Sequence, residues 1–258
     1  MPDRSPMEIA KEAAALRACE MVEDGMRIGL GTGSTARFVL RRLGQRVREE
    51  RLSVVGVPTS DETARIARDE GIALTTLEEA GRLDLTIDGA DEADAQLSLI
   101  KGGGGALLRE KIVATASERM VAVADASKRV EALGAFPLPV EIVAFGWTVT
   151  RDLIVEVLRG ADVLGYDIRL REVVGGPLVT DEGHRILDLH LRRIGNPRDL
   201  AMRLNMVPGV VETGLFCDIC DVLVLGHGDG RVEVTDVLDR KTNEAPAEPD
   251  VDNVFADF

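Results

Sequence analysis

Aromatic side chains are scarce. One Trp, one Tyr and six Phe stand in 258 residues, so a core must be built from Ala, Val, Leu and Ile. Three cysteines, Cys19, Cys217 and Cys220, are too few for a disulfide scaffold, and nothing suggests secretion. No apolar run of about 18 residues occurs, which excludes a spanning helix. Positive charge is in deficit: 31 Lys and Arg face 45 Asp and Glu, a formal net charge of −14. That acidity argues against a nucleic-acid backbone or an anionic membrane as the main partner. It leaves open a small anionic ligand, whose binding depends on local geometry. Lysine is the scarcer base, with only Lys11, Lys101, Lys111, Lys128 and Lys241. What is present is apolar material, 45% hydrophobic against 29% charged, which excludes global disorder. The length corresponds to about 1.7 average domains.

The N-terminus does not read as a targeting signal, because Asp3 and Glu8 interrupt it and no apolar stretch follows. Ser5-Pro6-Met7-Glu8 reads as a helix start with a capping box and Pro at the first helical position. Strands over 26–30, 52–57, 72–74, 83–87 and 120–124 alternate with helices over 36–45, 61–70 and 106–117. This alternation predicts right-handed βαβ units and a parallel sheet. Phe136-Pro137-Leu138-Pro139 reads as a stiff break. Beyond it, strands over 140–144 and 168–171, helices over 150–159 and 196–205, and a hairpin of 177–180 with 186–191 predict antiparallel pairing. Pro208-Gly209 is a second break, followed by a hairpin of 221–225 with 232–235. The expected class is α/β: a Rossmann-like, mostly parallel sheet domain with a smaller inserted α+β domain. The larger domain takes 1–136 plus 208–240, the smaller 137–207, and 241–258 is an acidic tail expected to be loose.

Three segments carry candidate chemistry. Gly31-Thr32-Gly33-Ser34-Thr35 lies between a strand and a helix, where backbone N–H groups and hydroxyls form an anion cradle. An ordinary tight turn is the bland reading. A dinucleotide site is the rival, weakened because the next strand ends Val57-Pro58-Thr59-Ser60 and its first acid, Asp61, comes late. Asp88-Gly89-Ala90-Asp91-Glu92 follows a strand, where α/β crevices open. Its acids could hold sugar hydroxyls, move protons or bind a metal, or form only a solvated turn. A metal is disfavoured, since no histidine is near and a lysine follows. Lys101-Gly102-Gly103-Gly104-Gly105 is the most unusual stretch. Four glycines between apolar flanks suit close backbone approach to a ligand, with N–H groups offered to an oxyanion. Glu110, one turn into the next helix, is either a surface acid or a base reaching into that site.

Together these segments resemble the A-type ribose-5-phosphate isomerases. The resemblance rests on Gly29 to Thr35, Asp88 to Glu92, Lys101 to Lys111 and Ala124-Asp125-Ala126-Ser127-Lys128, in that order. Phe136 to Glu141 and Pro208 to Phe216 look like the family's domain-junction segments. It covers about residues 7 to 240, and four ordered motifs are far more specific than any one. The resemblance implies a cofactor-free, metal-free interconversion of D-ribose 5-phosphate and D-ribulose 5-phosphate in the non-oxidative pentose phosphate pathway, through a cis-enediol(ate). It makes Glu110 the base, Lys101 and the N–H groups of Gly102, Gly103 and Gly104 the oxyanion donors, and Asp88 and Asp91 the groups handling sugar hydroxyls and ring opening. Thr32, Gly33, Ser34, Thr35, Lys128 and Lys11 would bind the phosphate, with Gly89 and Ala90 leaving room for the sugar. It also implies a cytoplasmic homodimer or homotetramer.

Other signals carry less. Cys217-Asp218-Ile219-Cys220 is a lone C-x-x-C before a strand, not a redox or zinc motif in context. His184, His190 and His227 fall in or beside expected hairpins, and Trp147 and Tyr166 read as packing residues. Rival readings are a sugar-phosphate deaminase or lactonase, a sugar-phosphate sensor, a CoA transferase and an NAD-dependent dehydrogenase.

Overall fold

The computed structural model describes residues 4–237; the acidic stretch expected at 241–258 lies outside them. Ser5 and Glu8 form the capping box that opens helix α1, Pro6–Cys19. Then follow β1 (Arg27–Leu30), α2 (Ser34–Glu49), β2 (Val55–Pro58), α3 (Asp61–Asp69), β3 (Ala73–Leu74), α4 (Leu77–Ala80) and β4 (Leu83–Gly89). Two short strands, β5 (Glu92–Ala93) and β6 (Leu99–Ile100), precede α5 (Leu107–Thr115) and β7 (Ser117–Asp125). The next region holds β8 (Leu138–Ile142), α6 (Trp147–Arg159), β9 (Asp167–Leu170), β10 (Glu172–Val173), β11 (Gly176–Pro177), β12 (Arg185–His190) and α7 (Pro197–Asn205). The described chain ends with β13 (Val210–Thr213), β14 (Leu215–Phe216), β15 (Val222–Gly226) and β16 (Val232–Asp236).

The main sheet has seven strands in the order β16-β15-β7-β4-β1-β2-β3. All neighbours are parallel except β15 and β16. The chain runs outward from β1 to β3 on one side and from β4 to β15 on the other. The order therefore reverses between β1 and β4, and a crevice opens at their carboxyl ends. Strand β7 is apolar from Met120 to Ala124 because both its faces are covered. Val121 and Val123 pack with the α1 alanines and with Val39, Leu40 and Leu43 of α2. Met120, Ala122 and Ala124 pack on the opposite face with Leu97, Leu99 and Phe216.

A second, four-stranded sheet has the order β13-β8-β12-β9, antiparallel throughout. Its core joins Leu138, Val140 and Ile142 to Ile154 and Leu158 of α6 and to Leu200 and Leu204 of α7. Ile100 of β6, Leu133 and Leu215 of β14, which lie outside the main sheet, belong to the same cluster.

Two local expectations change. The turn at Asp181-Glu182-Gly183 exists, closed by Gly183 N–H to the Thr180 carbonyl at 2.9 Å. Residues 177–180 do not pair with 186–191, however. β12 lies between β8 and β9, because its buried Ile186, Leu187 and Leu189 gain more from a central position than from a two-stranded ribbon. The break at Pro137 to Pro139 is likewise the start of strand β8. The small sheet also takes an edge strand, β13, from residues after 207.

Candidate active site

A cleft of about 130 Å³ lies at the β1–β4 switch point, where ligand crevices open in α/β sheets. Its wall brings together Lys11, Thr32, Gly33, Ser34 and Thr35 with Gly89, Ala90 and Asp91. Lys101, Gly102, Gly103, Gly104, Glu110 and Lys128 complete the predicted set. Asp88 alone of the expected residues is not on the wall. It is fully buried directly beneath.

At one end, the N-terminus of α2 presents Ser34 and Thr35, and Lys11 from α1 donates to Ser34 Oγ at 3.0 Å. Lys128 follows β7 on a single 3₁₀ turn, its ammonium 5.9 Å from the Phe136 ring centre. The Thr32 hydroxyl lies within 2.8 to 3.1 Å of those of Thr59, Ser60 and Thr63, which tie it to the ends of β1 and β2. Gly31 is required beside it, because a Cβ there would sit 2.2 Å from Asp88 Oδ1. That oxygen accepts from the N–H groups of Thr32 at 3.0 Å and Gly89 at 2.7 Å.

At the other end is a buried charge cluster. Lys101 Nζ lies 3.0 Å from Asp88 Oδ2 and 3.3 Å from Glu110 Oε2, and donates to the Gly89 carbonyl at 2.5 Å. The two carboxylate oxygens are at ion-pair distance but lack hydrogen-bond alignment, so each keeps lone pairs without a donor. Lys101, Asp88 and Glu110 are 2%, 0% and 3% exposed. Burial raises the Glu110 carboxyl to about 8, assisted by the Asp88 charge and opposed by Lys101. Burial also raises Asp88, again against Lys101. Lys101 is raised too: its burial disfavours charge, but Asp88 and Glu110 outweigh that cost. The glycine loop turns at Gly102, whose φ of +101° disfavours any side chain. The Gly103 N–H then donates to Asp91 Oδ2 at 2.7 Å.

Ala124 and Asp125 also line the cleft, and the sequence pattern gives neither a role there. Asp125 caps the 3₁₀ turn that delivers Lys128, and its place at the end of β7 is the signal that could have found it. The discounted residues lie elsewhere. Burial raises the Cys220 thiol to about 12 and also raises that of Cys217. His184 Nδ1 is 3.0 Å from Glu141, and His227 Nε2 is 2.8 Å from Glu233. No group of three His, Cys, Asp or Glu among the described residues is placed to hold a metal.

The family model for ribose 5-phosphate isomerase A (phosphoriboisomerase A) matches residues 55–230. Ribose-5-phosphate isomerase A of Ruegeria sp. (strain TM1040) is 59% identical over 262 residues, covering 99% of this chain and 98% of the relative. That of Cereibacter sphaeroides (strain ATCC 17025 / ATH 2.4.3) is 63% identical, covering 91% and 94%. Among solved structures, a D-ribose-5-phosphate isomerase in complex with phospho-erythronic acid is 36% identical, with a TM-score of 0.83 over 89% of this chain and 99% of that one. The ribose 5-phosphate isomerase A of Methanocaldococcus jannaschii is 41% identical, with a TM-score of 0.79 over 88% and 97%. With the family motifs gathered on one cleft and the likeness running almost end to end, the chain belongs to the ribose 5-phosphate isomerase A family.

Proposed function

We propose that this cleft interconverts D-ribose 5-phosphate and D-ribulose 5-phosphate by proton transfer, with Glu110 as the single base. The observation that carries the reading is the Glu110 carboxylate, buried in the cleft at its glycine-walled end, with one oxygen lacking any hydrogen-bond donor. The dianionic phosphate sits at the α2 N-terminus, against Ser34, Thr35, Lys11 and Lys128. Anchored there, the sugar presents C1 and C2 to Glu110, and remote binding is converted into alignment.

In the open-chain aldose, Glu110 takes the proton from C2. The C–H electrons form the C1=C2 bond, and the carbonyl electrons move to O1. Lys101 and the glycine-loop N–H groups stabilise that oxyanion. O1 gains a proton, O2 loses one, C2=O forms, and Glu110 returns its proton to C1. A carboxyl raised to about 8 suits both directions, because it is a stronger base than an exposed glutamate and an acid again once protonated. Asp91, on the wall, accepts from sugar hydroxyls during ring opening. Asp88 is a positioning residue, because it lies wholly beneath the wall and acts through Lys101 and the Thr32 and Gly89 N–H groups.

The test is turnover of ribose 5-phosphate in D2O. Deuterium at C1 of the product supports enediol chemistry, and its complete absence points to a hydride shift. No conversion, with turnover of an amino-sugar phosphate instead, would sink the reading. The assembly proposed is a cytoplasmic homodimer or homotetramer, as the resemblance implies. Sedimentation giving a monomer at micromolar concentration would overturn it.

A further inference from the structure

The glycine loop is gripped from outside the cleft by a residue of the four-stranded sheet. Arg171 follows β9, and its backbone is fixed on both sides. Its N–H donates to the Ile186 carbonyl at 2.8 Å, and its carbonyl accepts from the Leu178 N–H at 2.9 Å. Asp188 on β12 orients the guanidinium, accepting from Nε at 2.9 Å and closely from Nη2. These side chains are only 13% and 18% exposed. Nη1 donates to the carbonyls of Gly102 at 2.7 Å and Gly103 at 3.1 Å.

Those carbonyls belong to the two peptide groups whose opposite ends are the N–H groups of Gly103 and Gly104. The first donates to Asp91. The second has no acceptor among the described residues, and Gly104 lines the cleft. A donor placed on a peptide carbonyl polarises the unit and strengthens donation from its N–H. Asp188 offsets the guanidinium charge, so the effect travels through directed hydrogen bonds rather than a long-range field. We propose that Arg171, aligned by Asp188, is a positioning residue for the isomerisation. It fixes and polarises the Gly102–Gly103 and Gly103–Gly104 peptides so that their N–H groups hold Asp91 and meet the enediolate oxygen. The small sheet is then part of the catalytic apparatus without touching substrate. This inference rests on the isomerase reading above.

The experiment compares the wild-type chain with Arg171→Met, Arg171→Lys and Asp188→Asn. It measures kcat and KM for ribose 5-phosphate, and calorimetric Kd for two ligands. Phospho-erythronic acid carries a planar anionic group where the enediolate forms. Ribitol 5-phosphate carries the same phosphate and no such anion. Arg171→Met is expected to lower kcat by about 30-fold, with KM changed by no more than about twofold. Its affinity for phospho-erythronic acid is expected to fall by about 10-fold or more, and that for ribitol 5-phosphate to stay. Arg171→Lys should fall between, because an ammonium reaches a carbonyl but cannot keep the fork on Asp188. Asp188→Asn should move toward Arg171→Met. Wild-type kcat and wild-type discrimination in Arg171→Met would overturn the proposal. So would an equal loss of both ligands with a lowered Tm, the pattern of a general brace. A wild-type chain that does not convert ribose 5-phosphate would instead overturn the parent reading and this one with it.

Discussion

The two ends of the cleft hold positive charge in opposite ways. At the proposed phosphate end Lys11 and Lys128 are partly exposed, and neither has a carboxylate at ion-pair distance among the described residues. At the reaction end Lys101 is buried against two carboxylates, a backbone carbonyl and the Phe216 ring, 5.4 Å from its centre. The open cations are available to take up a dianion. The closed one is already committed, so its work is to set the protonation and place of its neighbours. On the proposed reading, this division of its few lysines is what lets a chain with net charge −14 take up an anion.

The largest effect is expected at the closed end. Glu110→Gln keeps shape and burial but removes the proposed base. The kcat is expected to fall by about 10³-fold, with KM for ribose 5-phosphate nearly unchanged, because the phosphate end is intact. Steady-state kinetics on folded variant decide it, and a near-wild-type rate would move the base elsewhere.

Lys101→Met should cost activity and stability together. It removes the proposed oxyanion donor, a loss expected at about 10²-fold in kcat. It also leaves Asp88 without its counter-charge in a fully buried position, where breaking such a pair costs about 3–5 kcal/mol. Urea unfolding and kinetics on the same preparation test both. Lost activity at unchanged stability would show that Asp88 is neutralised by a proton or solvated by water in the variant.

Activity and stability should respond to pH in opposite senses. If Glu110 is the base, it acts only when ionised, so kcat/KM should climb through the neutral range and level off above about 8. Stability should run the other way. Between the ordinary value of 4.5 and about 8, the native Glu110 keeps a proton that the unfolded chain has released. The unfolding free energy therefore falls as pH rises through that window, and the contribution is fully present only below 4.5. Glu110→Gln abolishes this term, so the variant should gain stability relative to wild type from about pH 5 to about pH 8.5. A pH-independent difference would show that the native carboxyl is not raised.

Much of the fold and of the cleft is legible in the amino-acid sequence. The α1 capping box and the βα alternation are local signals, and the glycine-rich and acidic motifs sit at strand ends where the fold must place a crevice. What local pattern cannot supply is which strands become neighbours. Residues 186–191 alternate as a strand should, but their partners β8 and β9 are set by competition for a central position. Nor does spacing reveal depth: Asp88 and Asp91 are three residues apart, yet one lies beneath the cleft and the other on its wall. Arg171 carries no signal at all, since its meaning comes from a contact across 69 residues of chain in an arginine-rich sequence.

The gentlest test lies at the open end. Lys11→Met removes one of two partly exposed cations and leaves the α2 N-terminus in place. An exposed charge–charge contact contributes about 1 kcal/mol or less, so KM should rise by about fivefold with kcat retained. The same exposure makes the effect sensitive to salt. Wild-type KM should increase with added NaCl, and the Lys11→Met curve should be flatter. Lys101, by contrast, is shielded from ions, so kcat should barely respond to salt in either protein. If kcat falls with salt as steeply as KM rises, the two ends are not electrically separate, and the division of labour between open and committed lysines fails.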